Sequence, residues 1–386
     1  MATTTSNICR KKILRADLMK ILYVTTISNT MGFFVEHIKM LYSMGHTVEI
    51  ACAMGTKPLN SIYEELKCKV HEMPFSRSPF SKNNLKAYKM FKKLVETEHY
   101  DIVHTHTPNA SMIARLACRK VRKQGTRVFY TAHGFHFFKG APLKNWLMYY
   151  PIEKFCANFT DVLITINKED YALAQKKMPA KKVCYVPGVG IDLSKIQNIE
   201  CDRNEVRRSM GVPEDCILLL SIGELNVNKN HHVVVRALAK LNNKNVHYAV
   251  AGLGDQKEHL INLAKELGVD NQFHLLGYRS DALKLYRAAD IFVFPSFREG
   301  LSVSMMEAMA SGCPIVCSKI RGNVDLVEDE KGGFHFSPED DISLKKKIDF
   351  LINNPEIRNE KGYFNRAAIG MFSLECVLSD MREIYK

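Results

Sequence analysis

The sequence predicts an α/β protein made of two Rossmann-like, doubly wound domains, each with a parallel sheet. Short β-branched runs alternate with amphipathic stretches of helical periodicity, the pattern of parallel sheets covered by helices. The chain has 386 residues, enough for two or three domains. The periodicity fades around Gly188–Cys201 and then restarts, which predicts a linker there. We expect the two domains to face a cleft at the carboxyl ends of their strands.

The individual elements follow from this alternation. Predicted strands begin at Ile21, Thr47, Ile102, Arg127, Val162 and Val183, and then near Ile217, His247, Phe273, Ile291 and Ile315. Predicted helices cover 32–44, 82–98, 110–124, 144–157 and 168–177, then 231–241, 257–267, 281–288, 302–310 and 339–352. We therefore expect a disordered extension over 1–18, a first domain over 19–190, a second over 191–370, and a final helix over 371–386.

Composition narrows the class of protein. The apolar fraction of 46% and charged fraction of 25% are ordinary for a soluble globular chain. No apolar run approaches the roughly 18 residues that span a bilayer, and the first eighteen residues lack the apolar core of a signal peptide. The eleven cysteines have no paired spacing, and Cys313 and Cys317 lack a second pair. Reduced, buried thiols in a cytosolic protein are the expected outcome.

Positive charge is concentrated in the first half. Residues 1–190 hold 29 Lys and Arg against 13 Asp and Glu, whereas residues 191–386 hold 25 against 28. Such asymmetry favours an anionic partner for the first half, and a membrane surface fits it. Two predicted helices carry basic stripes that are either membrane contacts or a solvated outer face. Their cations are Lys82, Lys86, Lys89 and Lys93 on one helix, and Arg115, Arg119 and Arg122 on the other.

The richest stretch of the sequence is 291–312. An apolar strand ends before Pro295, a loop carries Glu299, and a helix opens near Ser302, so that Glu307 lies two turns further on. A helix N-terminus offers free N–H groups and a positive dipole end to a phosphate. Carboxylates beside it can accept hydrogen bonds from sugar or ribose hydroxyls. The stretch therefore predicts a pocket for a nucleotide sugar.

This stretch, with four others in the same order, resembles the retaining GT-B glycosyltransferases of family 4. The resemblance covers roughly residue 20 to the C-terminus, and is greatest to bacterial exopolysaccharide and capsule enzymes. The other four pieces are Tyr130-Thr-Ala-His-Gly-Phe-His-Phe-Phe-Lys-Gly140, Ser221-Ile-Gly-Glu-Leu-Asn-Val-Asn-Lys-Asn230, Val250-Ala-Gly-Leu-Gly254 and Leu276-Gly-Tyr-Arg-Ser-Asp281.

The resemblance implies roles on the donor side. Lys229 would neutralise the diphosphate leaving group, Glu299 would hold the sugar hydroxyls, and Glu307 would hold the ribose. Glu224 stands where family members commonly carry an arginine; Arg298 or the backbone N–H groups of residues 301–303 could substitute for it at the diphosphate. The predicted donor-binding residues are Gly223, Lys229, Tyr278, Arg298, Gly300, Leu301, Ser302 and Glu307. The predicted catalytic residues are Glu299 and His133.

On the acceptor side, the resemblance places His133 beside the transferred sugar, where it would orient hydroxyls, or exchange protons if its pKa lies near neutral. Gly32, Phe135 and Lys139 are the predicted acceptor and loop residues. His104, His106 and His136 are possible metal ligands, but no carboxylate converges with them. No Asp-x-Asp occurs. We therefore expect no metal or other cofactor, with cationic side chains and helix dipoles in that role.

The predicted function is retaining transfer of a hexose or N-acetylhexosamine from a nucleotide-sugar donor, expected to be UDP-linked, to a polyprenyl-linked glycan in exopolysaccharide or capsule biosynthesis. The expected location is the cytoplasm, peripherally at the inner face of the plasma membrane. Two alternatives remain open at this point. A nucleotide-sugar 2-epimerase of the same fold would need further acids and histidines around the sugar, and a nucleic-acid-binding protein would use the net charge of +13 without any recognised motif.

Overall fold

The structure, a computed structural model, describes residues 18–386 and divides them into two compact units. The first unit holds residues up to Thr165, Tyr171–Tyr185 and Arg382–Lys386; the second holds Ile166–Asp170 and Val186–Met381. The predicted extension over 1–18 lies outside the described residues, apart from Leu18.

Seven parallel strands form the sheet of the first unit, in the order β3-β2-β1-β4-β5-β6-β7. The central strands are buried throughout, because helices cover both faces. The strands are β1 Lys20–Ile27, β2 Thr47–Ala53, β3 Val70–Glu72, β4 Ile102–Thr105, β5 Arg127–Ala132, β6 Val162–Thr165 and β7 Lys182–Tyr185. The helices up to β7 are α1 Val35–Ser43, α2 Ile62–Glu65, α3 Asn83–Glu98, α4 Pro108–Ala117, α5 Arg119–Arg122, α6 Leu143–Ala157 and α7 Lys168–Lys177.

Six parallel strands form the sheet of the second unit, in the order β10-β9-β8-β11-β12-β13. They are β8 Ile217–Ile222, β9 Val246–Ala251, β10 Phe273–Gly277, β11 Ile291–Phe294, β12 Ile315–Ser318 and β13 Gly333–Phe336. The remaining helices are α8 Leu193–Gln197, α9 Arg203–Ser209, α10 His231–Leu241, α11 Lys257–Glu266, α12 Ala282–Ala288, α13 Val303–Ala310, α14 Asn323–Leu326, α15 Asp341–Asn353, α16 Pro355–Ala368 and α17 Leu374–Tyr385. The two parallel, doubly wound sheets confirm the predicted fold class.

Some elements escaped prediction because they are short or carry little periodicity. β3 is a three-residue edge strand that is partly exposed, so it has no apolar run. The predicted linker contains α8, which Asp192 caps by accepting a hydrogen bond from the Lys195 N–H at 2.9 Å. Among residues 18–386, no helix combines the length and the apolar character that crossing a bilayer requires.

Candidate functional site

Lys229 and Glu299 form an ion pair at the carboxyl edge of the second sheet. Lys229 ends a 3₁₀ turn between β8 and α10, and Glu299 lies in the loop between β11 and α13. Lys229 Nζ is 2.8 Å from Glu299 Oε1, and the two side chains are 18% and 14% exposed. The ammonium also lies 4.8 Å from the centre of the Phe294 ring. The pair forms because β8 and β11 are neighbours in the sheet, although 70 residues separate the two side chains.

Hydrogen bonds tie the loop of Lys229 to the loop of Glu299. Asn228 donates through Nδ2 to the Arg298 carbonyl at 2.9 Å, and its own carbonyl accepts from the Phe297 N–H at 2.8 Å. Asn230, which has a left-handed backbone (φ 56°), donates to the Pro295 carbonyl at 2.9 Å. These hydrogen bonds therefore fix the positions of the two loops, and of the predicted donor-site residues on them, relative to each other.

Two glycines allow the loops after β8 and β9 to approach. A Cβ at Gly223 would lie 3.3 Å from Lys229 Cε, so glycine leaves room for the lysine stem. A Cβ at Gly252 would overlap the carbonyl oxygen of Gly223. The predicted Gly-x-Gly turn after β9 thus permits backbone contact.

The N-terminus of α13 follows Glu299 directly. Ser302 is its N-cap, and its Oγ accepts from the Met305 N–H at 3.4 Å. The first-turn N–H groups of a helix have no partner within the helix, and the dipole adds positive character there. Gly300 packs its carbonyl against Gly322, where a Cβ would overlap it and where φ is +78°. Leu301 lies beside Gly188, since a Cβ on that glycine would be 2.9 Å from Leu301 Cδ2. The predicted phosphate-binding site is therefore a capped helix N-terminus that follows a tightly packed turn.

Glu307 lies on α13 and is half-buried. Its Oε2 accepts a hydrogen bond from the Tyr286 hydroxyl at 3.1 Å. Burial raises the pKa of Glu307, although the Tyr286 hydrogen bond opposes the shift. Tyr278, by contrast, is 66% exposed at the end of β10, so it does not belong to the packed core. This exposure is compatible with the predicted role of Tyr278 in donor binding.

The arginine position of the motif is occupied by an exposed Glu224, which accepts from Asn226 Nδ2 at 2.9 Å. Arg298 is half-buried in the Glu299 loop. A second cation, Arg321, was missed in the sequence: it is 5% exposed and forms an ion pair with Asp170. Burial is the first cause that lowers the pKa of Arg321, and the charge of Arg298 contributes in the same direction. A basic residue directly before Gly322, shortly after a strand end, was the available signal in the sequence.

His133 directly follows β5 and belongs to a cluster of rings in the first unit. Its Nε2 lies 3.3 Å from His106 Nδ1, and the His106 ring stacks on Tyr23 at 4.4 Å between ring centres. His104 is fully buried, and its Nδ1 hydrogen-bonds the hydroxyl of Tyr385 near the end of the chain. The structure thus brings His104, His106 and His133 together with a tyrosine that no sequence motif marks. His136, the third possible metal ligand, instead packs against Tyr149 at 4.7 Å between ring centres.

The cluster keeps its histidines neutral. Burial lowers the pKa of His133 to about 4, and the charge of His37 adds to the effect. Burial also lowers the pKa of His104 and His106 well below the usual value. His133 is therefore neutral near pH 7, which favours hydrogen bonding and orientation over proton exchange. Within residues 18–386, no three His, Cys, Asp or Glu side chains converge in a way that could hold a metal ion.

A cavity of about 480 Å³ opens in the first unit beside the β5–α6 loop. Its lining combines apolar and aromatic side chains with polar and charged ones, among them Arg77, Arg115 and Glu153. Phe135 lines it and stacks on Phe137 at 4.9 Å. Lys139 and Gly32 are exposed and do not line it. Of the three predicted acceptor residues, the structure places only Phe135 in the cavity.

The predicted basic face over 110–124 is wrong in two of its three cations. Arg115 is buried, pairs with Glu153 at 2.5 Å, and lies 4.3 Å from the centre of the Tyr130 ring. Arg122 is bound by Asp161 at 2.8 Å, which leaves only Arg119 exposed. At and along α3, all four lysines of the predicted basic stripe, Lys82, Lys86, Lys89 and Lys93, are exposed.

Two family models match this chain. The model "Glycosyl transferases group 1" matches residues 202–368, and "Glycosyltransferase Family 4" matches residues 33–195. Fold and matches together define the class: a GT-B glycosyltransferase. The chain belongs to the family 4 type of these glycosyltransferases, and it is a hexosyltransferase.

Named relatives agree with this assignment. EpsD of Bacillus subtilis, whose name places it among glycosyltransferases, is 36% identical over 371 residues, covering 95% of this chain and 96% of EpsD. The Escherichia coli UDP-Gal:alpha-D-GlcNAc-diphosphoundecaprenol alpha-1,3-galactosyltransferase is 29% identical over 260 residues, covering 66% of this chain and 65% of the enzyme. Anabaena Alr3699/HepE, solved with UDP and glucose, has the same fold, with a TM-score of 0.78, 20% identity, and coverage of 95% of this chain and 99% of that one.

Proposed function

We propose that the protein transfers a hexose or N-acetylhexosamine from a UDP-sugar to a lipid-linked glycan in exopolysaccharide or capsule biosynthesis, with retention of anomeric configuration. The observation that carries the proposal is the Lys229–Glu299 pair at the start of α13. It combines a cation for a diphosphate, a carboxylate for sugar hydroxyls and a helix N-terminus for phosphate.

On the donor side, the protein would act by stabilising the negative charge that develops on the leaving diphosphate. The bond from the anomeric carbon to the diphosphate oxygen breaks, and the diphosphate gains negative charge. Lys229, Arg298 and the first N–H groups of α13 stabilise that charge, so we propose that transfer needs no metal ion. Glu299 and Glu307 accept hydrogen bonds from the sugar and ribose hydroxyls. The names of the galactosyltransferase and the Anabaena structure both include UDP, which supports a UDP-linked donor.

The acceptor side would supply a hydroxyl to the same face of the sugar. The acceptor oxygen bonds the anomeric carbon, and its proton leaves to the departing phosphate oxygen. Neutral His133 orients the sugar by hydrogen bonding. The cavity beside Phe135 accommodates part of a lipid-linked acceptor, of the kind named in the galactosyltransferase relative. With such an acceptor, we propose that the protein works peripherally at a membrane surface, on the inner face where nucleotide sugars are made.

A donor panel with a lipid-linked acceptor tests the proposal. UDP- and GDP-sugars are incubated with an undecaprenyl-diphosphate-linked sugar, and the lipid product is detected by mass, with and without EDTA. Lys229→Met and Glu299→Gln are expected to lower kcat/KM by about 10²- to 10³-fold, as for loss of one group that stabilises transition-state charge. Lys345→Met is the matched control, because Lys345 pairs with Asp349 at 3.0 Å on the outer surface of α15. Full activity in both site variants, or no transfer from any donor, would contradict the proposal.

A further inference from the structure

Helix α6 exposes an unusual number of large apolar side chains. Its exposed residues share one broad side of the helix, opposite Glu153, Cys156 and Ala157, which are buried. The exposed apolar side chains and their exposed fractions are Leu143 (73%), Leu147 (69%), Met148 (44%), Ile152 (48%) and Phe155 (54%). A surface helix of a globular protein normally turns polar residues to water, and a helix that is apolar on all sides belongs in apolar surroundings.

The acidic and the basic side chains of α6 lie on different sides of the helix. Glu153 is the only acid in the helix; it is turned inward and neutralised by Arg115. Lys144 and Lys154 are both exposed on the outward side. The outward surface of α6 therefore presents apolar side chains and cations without an acid, which is the composition of helices that lie in the interface of an anionic bilayer.

The same helix forms a wall of the cavity described above. Met148 and Ile152 line it, and so does Phe80, which is 82% exposed in the loop before α3. One side of α6 thus borders the cavity while the neighbouring side is exposed. A lipid that entered the cavity from a bilayer touching α6 would not have to cross water with its acyl chain exposed.

We propose that α6 is the element that inserts into the headgroup region of an anionic membrane. Leu147 and Phe155 are among the exposed side chains that become buried in the membrane on insertion. The cavity then opens at the membrane surface. This inference rests on the proposed lipid-linked acceptor. It differs from a purely electrostatic contact through the α3 lysines, because apolar insertion persists at salt concentrations that screen surface charges.

Vesicle binding of the full chain tests the role of α6 without any acceptor. Vesicles of phosphatidylglycerol and phosphatidylethanolamine are sedimented with the protein at low and high salt. The native chain is expected to bind at both salt concentrations. The double variant Leu147→Ser/Phe155→Ser should bind about tenfold or more weakly, as expected from removing exposed apolar anchors.

Matched controls separate α6 from exposed apolar residues in general. Ile342→Ser/Met371→Ser removes two side chains that are 56% and 60% exposed in the second unit, and it should bind vesicles like the native chain. Lys144→Gln/Lys154→Gln should reduce the preference for anionic over neutral vesicles. Equal binding by the α6 double variant and the native chain would overturn the proposal. So would a native dimer in light scattering that this variant dissociates, because a second copy would then cover α6.

Failure of this proposal and failure of the proposed function have different signatures. If the native chain binds vesicles through α6 but transfers no sugar, the transfer proposal fails while the membrane role of α6 stands. If the α6 variant binds vesicles normally and the native chain transfers sugar to lipid, the membrane role of α6 fails alone.

Discussion

Replacing His106 with phenylalanine should make the first unit less sensitive to acid. His106 is 2% exposed, and its ring lies between Tyr23 and Phe34, at 4.4 Å and 4.2 Å between ring centres. Its Nε2 has no hydrogen-bond partner among the described residues. A phenyl ring can therefore occupy the site, at the cost of the hydrogen bond with His133.

The magnitude follows from proton linkage. Burial, and then the neighbouring charges of His104, His133 and His37, lower the pKa of His106 in the folded chain, whereas an unfolded histidine titrates near 6.5. Between those values the unfolded state binds more protons, so the stabilisation is present above pH 6.5 and declines as the pH falls. A ring that stays neutral when folded loses about 1.4 kcal/mol of stabilisation between about pH 7.5 and about pH 5.5. His104 and His106 together lose about 3 kcal/mol.

Trp146 fluorescence provides the assay, because this single tryptophan belongs to the first unit. Urea unfolding is followed at both pH values for the native chain and for His106→Phe. With a denaturant slope of about 2 kcal/mol per M, the midpoint of the variant should fall by about 0.7 M less than that of the native chain. His99→Asn is the control, since it removes an exposed histidine whose left-handed backbone (φ 50°) asparagine accepts. Identical acid responses in the native chain and His106→Phe would refute the reasoning.

Three further outcomes follow from the structure. Glu307→Gln should weaken UDP binding by about 10- to 100-fold in calorimetry, because a charged acceptor is lost. Since burial raises the pKa of Glu307, acidification should weaken UDP binding by the native chain more than by Glu307→Gln, and identical pH profiles of the two would argue against Glu307 as a ligand. Glu153→Leu leaves Arg115 buried without its partner and should lower the free energy of unfolding by about 3–5 kcal/mol. The double variant Arg115→Met/Glu153→Leu should recover most of that stability in thermal unfolding. Equal melting temperatures of the single and the double variant would contradict a strong ion pair. Gly252→Ala forces a Cβ against the carbonyl of Gly223 and should abolish UDP binding while leaving Trp146-monitored unfolding unchanged; intact binding would show that the loops need not touch.

Local pattern was sufficient to predict most of the fold. The strands β4, β5, β6, β11 and β12 are short, mostly buried runs rich in apolar residues, and they begin where the sequence predicted. The strands β3 and β13 and the short helices α2, α8, α9 and α14 were missed, because three to seven residues carry too little periodicity to distinguish them from loop. The fourteen-residue helix α16 was also missed; its buried residues are Lys361, Gly362 and Asn365, so it carries no apolar stripe. The start of α13 was predicted correctly: the helix was expected to open near Ser302, and Ser302 is its N-cap.

The candidate site was predicted as a set of residues but not as a geometry. The motif placed Lys229 and Glu299 in one pocket, yet their direct ion pair depends on the adjacency of β8 and β11. Arg115 was interpreted as a surface cation because helical spacing cannot tell which neighbour covers a side chain. Its partner Glu153 lies 38 residues away on α6.

The order of strands and helices, the two-domain α/β class and the positions of the donor motifs were determined by the sequence itself, because each depends on the spacing of residues that are close along the chain. Tertiary structure alone decided which charges pair, which histidines lose their protons and which side of α6 remains exposed. Those properties depend on burial and on neighbours contributed by distant segments, as when Tyr385 hydrogen-bonds His104 across 281 residues.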